Sequence, residues 1–323
     1  MSGVNPMKKI SIVKEMVIIS QKAGFEKKEN IKIAAIFLSP ALILYLFLFI
    51  YPSIQAFYIS LFDWNGFTAS MNFIGLRNFK ELFQDFRFWD VAVVNTVKYI
   101  FFGGILVFLC AFVLSGILST KMRGRDFFRG LVFFPSIINP IAVCILWTFL
   151  VDRRVGLVNN LLDAVGLGML KQTWMAPDYI FWTILVVLAW MHAGYYSVIL
   201  LAAFDRVPLE LIESANLEGA SEINIFFKIK IPLIWDVFVV TMILWGITAI
   251  KQFSILFAFG GPGGSTPEAL TNVAVAVYLT AFGKGLSINR MGYSTAMGII
   301  MFMMVMILVT LISRVSRKEN IEY

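Results

Sequence analysis

Glu213-Ser214-Ala215-Asn216-Leu217-Glu218-Gly219-Ala220, running on to Ile229-Lys230-Ile231-Pro232, is a polar stretch set between two strongly apolar runs. From 209 to 217 it holds good helix formers and small residues, and Gly219 then permits a turn that other residues resist. A second short helical pattern follows from 221 to 229, with Ile223, Phe226 and Phe227 apolar at helical spacing. Pro232 marks the redirection of the chain into the next apolar run. The expectation is a small helix-turn-helix lying flat on a membrane surface. Such an element suits gripping by a soluble partner. Ser214, Ala215 and Ala220 allow close approach, and Glu213 offers a charge to a basic residue.

Working outward, the flanking runs are two of six. The chain has 323 residues, 59% of them hydrophobic, and a mean hydropathy of +0.82. These values belong to a polytopic membrane protein and not to a soluble domain. Apolar runs at 33–60, 91–118, 127–151, 179–204, 233–259 and 291–312 are each long enough to cross a bilayer. Pro40 and Pro52 are expected to kink or bound the first, and Pro135 and Pro140 fall inside the third. Aromatic residues between 63 and 90 suit the outer interface.

Basic residues set the orientation. Seven lysines from Lys8 to Lys32 precede the first run, Lys121, Arg123, Arg125 and Arg129 follow the second, and Arg314, Arg317 and Lys318 close the last. With both termini inside, 17 of the 27 Lys and Arg residues fall on the cytoplasmic side, as the positive-inside rule requires. Residues 1–32 then form a basic cytoplasmic segment, 33–313 the transmembrane domain with its loop at 205–232, and 314–323 a cytoplasmic tail. The first segment is either a surface-lying amphipathic helix or a disordered tail. No cleavage site makes it a signal peptide.

Several chemistries are excluded. The net charge of +7 follows from orientation, and no motif for nucleic acid is present. Cys110 and Cys144 lie in apolar runs and act as small hydrophobes. A single histidine excludes a multi-histidine metal site. The stretch from Gly260 to Thr266 looks like a phosphate loop, but no lysine precedes its serine and no strand precedes the stretch.

The spacing across 213–232 resembles the coupling-loop signature of permease subunits of binding-protein-dependent ABC importers. Ser214 stands where Ala is usual, Ile231 where Leu is usual, and Glu218 where the sugar-importer branch usually has Asp. The likeness extends to Asn95-Thr96, to Trp147 followed by Gly156-Leu157-Val158-Asn159, and to Gly260-Gly261-Pro262 followed by Thr266. The resemblance implies an all-α integral membrane protein with six transmembrane helices, both termini cytoplasmic, and a cytoplasmic coupling helix-turn-helix between spans 4 and 5. Glu213, Ser214, Ala215, Glu218, Gly219, Ala220 and Pro232 would form the ATPase-coupling surface. It further implies a second homologous permease subunit, two ATP-binding subunits that hold the ATP and Mg, and a periplasmic or lipid-anchored solute-binding protein. The saccharide would cross the bacterial inner membrane by alternating access, and this chain itself would be neither an enzyme nor the holder of a cofactor.

For the substrate path, His192 and Tyr195 share a face of the fourth span, and Trp245, Thr248 and Gln252 share one of the fifth. Aromatic faces and amides or hydroxyls are the chemistry that holds sugars. In the maltose-type branch the solute pocket falls at positions matching these, with Met191 and Ala249. Against this, Tyr and Trp in spans usually pack or anchor, and a lone His is usually bonded to a neighbouring helix. Lys251 either meets an acidic saccharide or snorkels. Lys98 snorkels in the same way. A secondary transporter is the competing class. It would need ion-coupling carboxylates in the spans, where only Asp236 near an inner end comes close.

Overall fold

A computed structural model describes residue 33 and residues 35–119, 123–260, 266–283 and 289–316, the side chain of residue 315 excepted. The N-terminal lysines, Lys121, the glycine-rich residues 261–265, Arg317 and Lys318 lie outside the described residues. The chain falls into two compact units, Met1–Tyr58 and Ile59–Tyr323.

The first unit holds most of α1 (Ala35–Ile59), an apolar helix long enough to span a bilayer. Its backbone opens into a π turn at Leu46–Ile50, just ahead of Pro52. Proline supplies no N–H and crowds the carbonyl four residues back, and a locally widened turn absorbs that misfit. The same device recurs in the second unit, where a π turn at Phe226–Lys230 stands two residues before Pro232.

In the second unit a two-stranded antiparallel ribbon, β1 (Phe62–Asp63) with β2 (Asn72–Phe73), pairs Phe62 with Phe73. After α2 (Arg77–Phe83) come α3 (Arg87–Ser119), then α4 (Arg125–Ile137) and α5 (Pro140–Leu150), which meet at 97°. The third apolar run is therefore sharply bent, as a broken span or a re-entrant loop is. Its residues 134–137 tighten into a 3-10 turn containing Pro135. Asn139 is extended, as a residue before proline prefers, and its side chain caps α5 by accepting from Ile141 N at 2.8 Å.

Following α6 (Leu157–Ala164) and α7 (Pro177–Phe204), the polar stretch forms α8 (Leu209–Leu217) and α9 (Glu222–Ile225). The fifth run forms α10 (Trp235–Ile250) and α11 (Ser254–Phe259), separated at Lys251–Phe253. Then come α12 (Val273–Phe282), which sequence periodicity did not mark out, and α13 (Met291–Ser316). Among the described residues, five helices are long and apolar enough to cross a membrane, or six when the α4–α5 pair is one span.

The main core lies between α3 and α7. Tyr99, Val107 and Phe108 meet Ile184, Leu188 and Leu200, with Trp245 and Ile255 closing the side. Small residues let backbones touch, as in membrane bundles generally. A Cβ on Gly194 of α7 would stand 1.9 Å from the Val132 carbonyl oxygen of α4. A second cluster joins Leu82 and Phe88 to Val273, Ala296 and Met297.

Candidate functional site

The 205–232 element is built as a handle. α8 ends in a Schellman turn, in which Ala220 N donates to Ala215 O at 2.9 Å and Gly219 N to Asn216 O at 3.0 Å. Gly219 has φ +79°, a left-handed conformation that costs a residue with a Cβ about 1–2 kcal/mol. Ser221 then caps α9 by accepting from Asn224 N at 3.3 Å.

The two helices of the handle are held very differently. α9 is rooted in the bundle. Ile225 is fully buried, and the Phe226 ring lies 6.2 Å from Phe112 of α3 and 5.6 Å from Phe204 of α7. Of the three apolar residues at helical spacing, Phe226 packs on the bundle while Ile223 and Phe227 are exposed. α8, by contrast, buries none of its residues. Glu213, Ser214, Glu218, Gly219 and Pro232 are exposed, and Ala215 and Ala220 half-exposed. Leu217 is 90% exposed. Between Arg206 and Lys228 the chain carries Glu210, Glu213, Glu218 and Glu222 and no basic residue. The handle therefore offers an apolar tip rimmed with negative charge.

A cation braces its root. Arg125 donates from Nε to Leu118 O at 2.7 Å and from Nη2 to Asp205 Oδ1 and Oδ2 at 2.8 and 3.0 Å. The end of α3, the start of α4 and the end of α7 are thus tied together at one level. The ion pair is partly exposed and adds no more than about 1 kcal/mol; its role is positional.

The second group of residues singled out from the sequence comes together only in part. His192 is half-buried on α7, and its ring meets Trp245 edge-on at 5.8 Å. Its Nε2 is buried and has no hydrogen-bond partner among the described residues. Trp245 is buried, and its indole nitrogen is committed elsewhere, donating to Ile100 O at 2.9 Å. The π turn Tyr99–Gly103 opens the backbone there, and Gly103 and Gly104 admit the ring. A Cβ at either would come within 2.7 or 2.9 Å of it. Tyr196, not Tyr195, turns toward Trp245, at 6.2 Å, while Tyr195 is 40% exposed. Thr248 is half-buried and donates to Leu244 O at 2.8 Å. Lys251 and Gln252 follow the end of α10, Lys251 exposed and Gln252 half-buried. The structure thus joins His192 to Trp245 and leaves Tyr195 and Lys251 apart from that pair.

Sequence reasoning missed a polar latch at the other end of the bundle. Asn95 Nδ2 donates to Glu268 O at 2.7 Å and Thr271 O at 3.1 Å. Thr96 Oγ1 accepts from Val273 N at 3.0 Å, and Tyr99 OH donates to Ala269 O at 2.8 Å. Asn272 Nδ2 donates to Gln252 O at 2.8 Å and its Oδ1 caps α12 through Val275 N at 2.9 Å. The last of these was open to detection, since an asparagine ahead of an apolar run is a helix-start signal. Asn159 plays a similar part, accepting from Trp174 Nε1 at 2.8 Å and donating to Gln172 O at 3.1 Å. Outside the spans, backbone hydrogen bonds from Val155 and Arg154 hold the Asp152 carboxyl below its ordinary pKa. Among the described residues no three His, Cys, Asp or Glu side chains gather to hold a metal ion.

Residues 108–319 match the family described as binding-protein-dependent transport system inner membrane component. A probable ABC transporter permease protein of Bacillus subtilis, YurN, is 31% identical over 285 residues, spanning 87% of this chain and 94% of its own. The probable starch degradation products transport system permease protein AmyD of Thermoanaerobacterium thermosulfurigenes is 27% identical over 289 residues, spanning 89% and 94%. The same fold occurs in a chain of the bacterial alginate ABC transporter crystallised with an alginate pentasaccharide-bound periplasmic protein. That chain matches with a TM-score of 0.74 and 21% identity, over 91% of this chain and 97% of its own.

Proposed function

Since the chain belongs to the family of inner membrane components of binding-protein-dependent transport systems, we propose that it is one membrane-spanning subunit of an ATP-driven importer of a sugar or oligosaccharide. The observation that carries this reading is α8, a well-capped helix that buries nothing in its own chain and is mounted on a rooted one. A helix of nine residues has too little intrinsic stability to stand alone in water. An apolar tip with an acidic rim fits a groove with a basic edge on a soluble ATPase subunit.

In this mechanism two ATPase subunits close on ATP and move α8. Phe226 passes the motion to α3 and α7, and Arg125 keeps their ends in register. The spans then expose the path alternately to a solute-binding protein on one side and to the cytoplasm on the other. A second, related permease completes the path. Both termini would lie on the cytoplasmic side, with residues 1–32 as a basic segment and 314–323 as the tail. The site is the bacterial inner membrane. ATP and Mg stay on the partner subunits.

Within the path, His192 is the strongest candidate for touching the saccharide. A buried nitrogen without a partner is rare in a finished fold, and a sugar hydroxyl would satisfy it beside an aromatic edge. Tyr195, Thr248 and Gln252 line the route at its margins, while Trp245 positions His192. Lys251 would select an acidic saccharide. Against an ion-coupled transporter stands the absence of any buried Asp or Glu among the described residues.

Co-purification tests the first claim. Wild-type protein should bring down an ATPase subunit, and Glu213→Lys or Gly219→Pro should lose it while the permease pair stays intact. Normal uptake with both variants would refute the coupling surface. His192→Leu should raise the KM for uptake with assembly unchanged. An acidic sugar taken up equally well by Lys251→Met would remove the role given to that lysine.

A further inference from the structure

On the flank of the α3–α7 pair, two concavities follow one line. The upper is a cleft of about 460 Å³ that includes Asp90, Lys98, Phe102, Trp182 and Glu268. The lower is an apolar groove of about 640 Å³ that includes Leu109, Val113, Val186 and Trp190. On α3 the lining positions include 91, 95, 98, 102, 106, 109 and 113. On α7 they include 182, 186, 190 and 193. Only a single turn separates the two concavities on either helix. At the junction the Phe102 and Trp182 rings meet edge to face at 5.7 Å.

Among the described residues the side chains of Asp90, Lys98 and Glu268 make no hydrogen bond or ion pair. Their depth is informative. Arg125 fixes the ends of α3 and α7 at a common level through Leu118 and Asp205. Lys98 lies 21 residues before Ser119 and Trp182 22 residues before Phe204. At 1.5 Å per residue the α7 stretch is about 33 Å, close to a hydrocarbon core of about 30 Å. The charged cleft therefore stands at the membrane interface farther from the handle, and the apolar groove descends from it into the hydrocarbon. Leu109 and Val186 face outward there, 60% and 49% exposed.

We propose that this paired cleft and groove is a binding site for one phospholipid with an amine-bearing headgroup, of the phosphatidylethanolamine type. The Lys98 ammonium meets the phosphate, and Asp90 and Glu268 meet the lipid amine. Two carboxylates beside one lysine disfavour a purely anionic headgroup, which would face their repulsion without offering a cation. Trp182 sits at the level of the glycerol backbone, where its amphipathic ring is favoured. One acyl chain lies along Leu109, Val113 and Trp190. The inference needs only that the chain crosses a bilayer, and it stands whether or not the solute is a sugar.

The test uses the full transporter assembly, purified in detergent and stripped of lipid. It is titrated separately with phosphatidylethanolamine and phosphatidylglycerol, with bound lipids counted by native mass spectrometry. The wild type is expected to bind phosphatidylethanolamine at least five-fold more tightly than phosphatidylglycerol. Lys98→Met should lower phosphatidylethanolamine binding at least three-fold, and the pair Asp90→Asn with Glu268→Gln should erase the preference. Equal binding of both lipids by the wild type, or unchanged binding by Lys98→Met, overturns the proposal. A photoreactive residue at Val113 gives a readout that needs no charge variant. An adduct of lipid mass supports the site, and an adduct with a second polypeptide shows that a protein fills the groove and overturns it.

Discussion

Two polar regions interrupt this apolar bundle, and they spend their polar groups in opposite directions. In the latch, Asn95, Thr96, Tyr99 and Asn272 direct side-chain hydrogen bonds onto the backbone of 252 and 268–275. In the handle, the hydrogen bonds close locally within the α8–α9 turn, and the carboxylates and the Leu217 side chain face away from the chain. A segment outside regular α-helix at the margin of a membrane must have its backbone satisfied from within, and the latch does this for the carbonyls of Glu268, Ala269 and Thr271. The handle lies beyond the apolar runs, where water can solvate charge. The contrast separates residues that hold the subunit together from residues available to another molecule.

Substitutions can break this contrast or sharpen it. The largest effect is expected inside the bundle, at Gly194→Ala. The new methyl would stand 1.9 Å from a backbone oxygen, which no side-chain rotation relieves. A loss of about 3 kcal/mol or more is expected, seen as a collapse in the yield of heat-stable protein; a normal yield would show that α4 and α7 are not in contact there.

Next comes the latch. Asn95→Leu leaves the carbonyls of Glu268 and Thr271 without their donor, at about 1–3 kcal/mol for each group left unpaired. The midpoint of heat inactivation should fall, while protein kept cold still binds its ATPase partner. If Asn95→Leu instead left the midpoint alone and abolished ATPase binding, the roles of the two regions would have to be exchanged.

At the handle, Leu217→Asp should do the reverse. Leu217 buries nothing but ends α8, where a carboxylate opposes the helix dipole, so the variant is expected to lose no more than about 1 kcal/mol of stability. Association with the ATPase subunit should weaken about tenfold, equivalent to about 1.4 kcal/mol. A pull-down across a salt series measures this directly.

The smallest effect concerns pH. The hydrogen bonds from Arg290 to Glu81, at 2.5 and 2.7 Å, hold the Glu81 carboxyl below its ordinary value of 4.5. A carboxyl whose folded pKa is depressed contributes stability above its unfolded value and loses it as pH falls through the folded one. Both side chains are over two-fifths exposed, so the pair is worth less than about 1 kcal/mol. The heat-inactivation midpoint should be flat above pH 5 and drop below about pH 4.5, and Glu81→Gln should remove part of that drop. An equal drop in the variant would assign it to other carboxylates.

The legible and the illegible parts of the chain divide on physical lines. The limits of the spans at 91–118, 179–204 and 291–312 came within a few residues of the helices observed, since each contains an uninterrupted apolar run. The fifth run is one candidate span, Trp235–Phe259, with a turn inside it at 251–253, but the third, read as a single crossing, bends by 97° between α4 and α5. Pro135 and Pro140 announced a disturbance but not its angle. The break at Lys251–Phe253 depends on Asn272, some 20 residues on, which no local pattern reveals. On the handle, the turn at Gly219 was readable because a left-handed residue has few alternatives. The burial of Ile225 was not, because it depends on which side of α9 packs against the bundle.

The order of apolar and polar runs settled that the chain crosses a membrane several times and that the 205–232 turn exists, because bilayer thickness and glycine conformation act on the chain locally. Which polar groups are satisfied within the chain and which are left for others was decided only by packing. Tyr196 rather than Tyr195 facing Trp245 and, among the described residues, the unpartnered nitrogen of His192 and the charges around Lys98 all follow from neighbours distant in sequence. Burial and pairing belong to those neighbours and not to the residue itself.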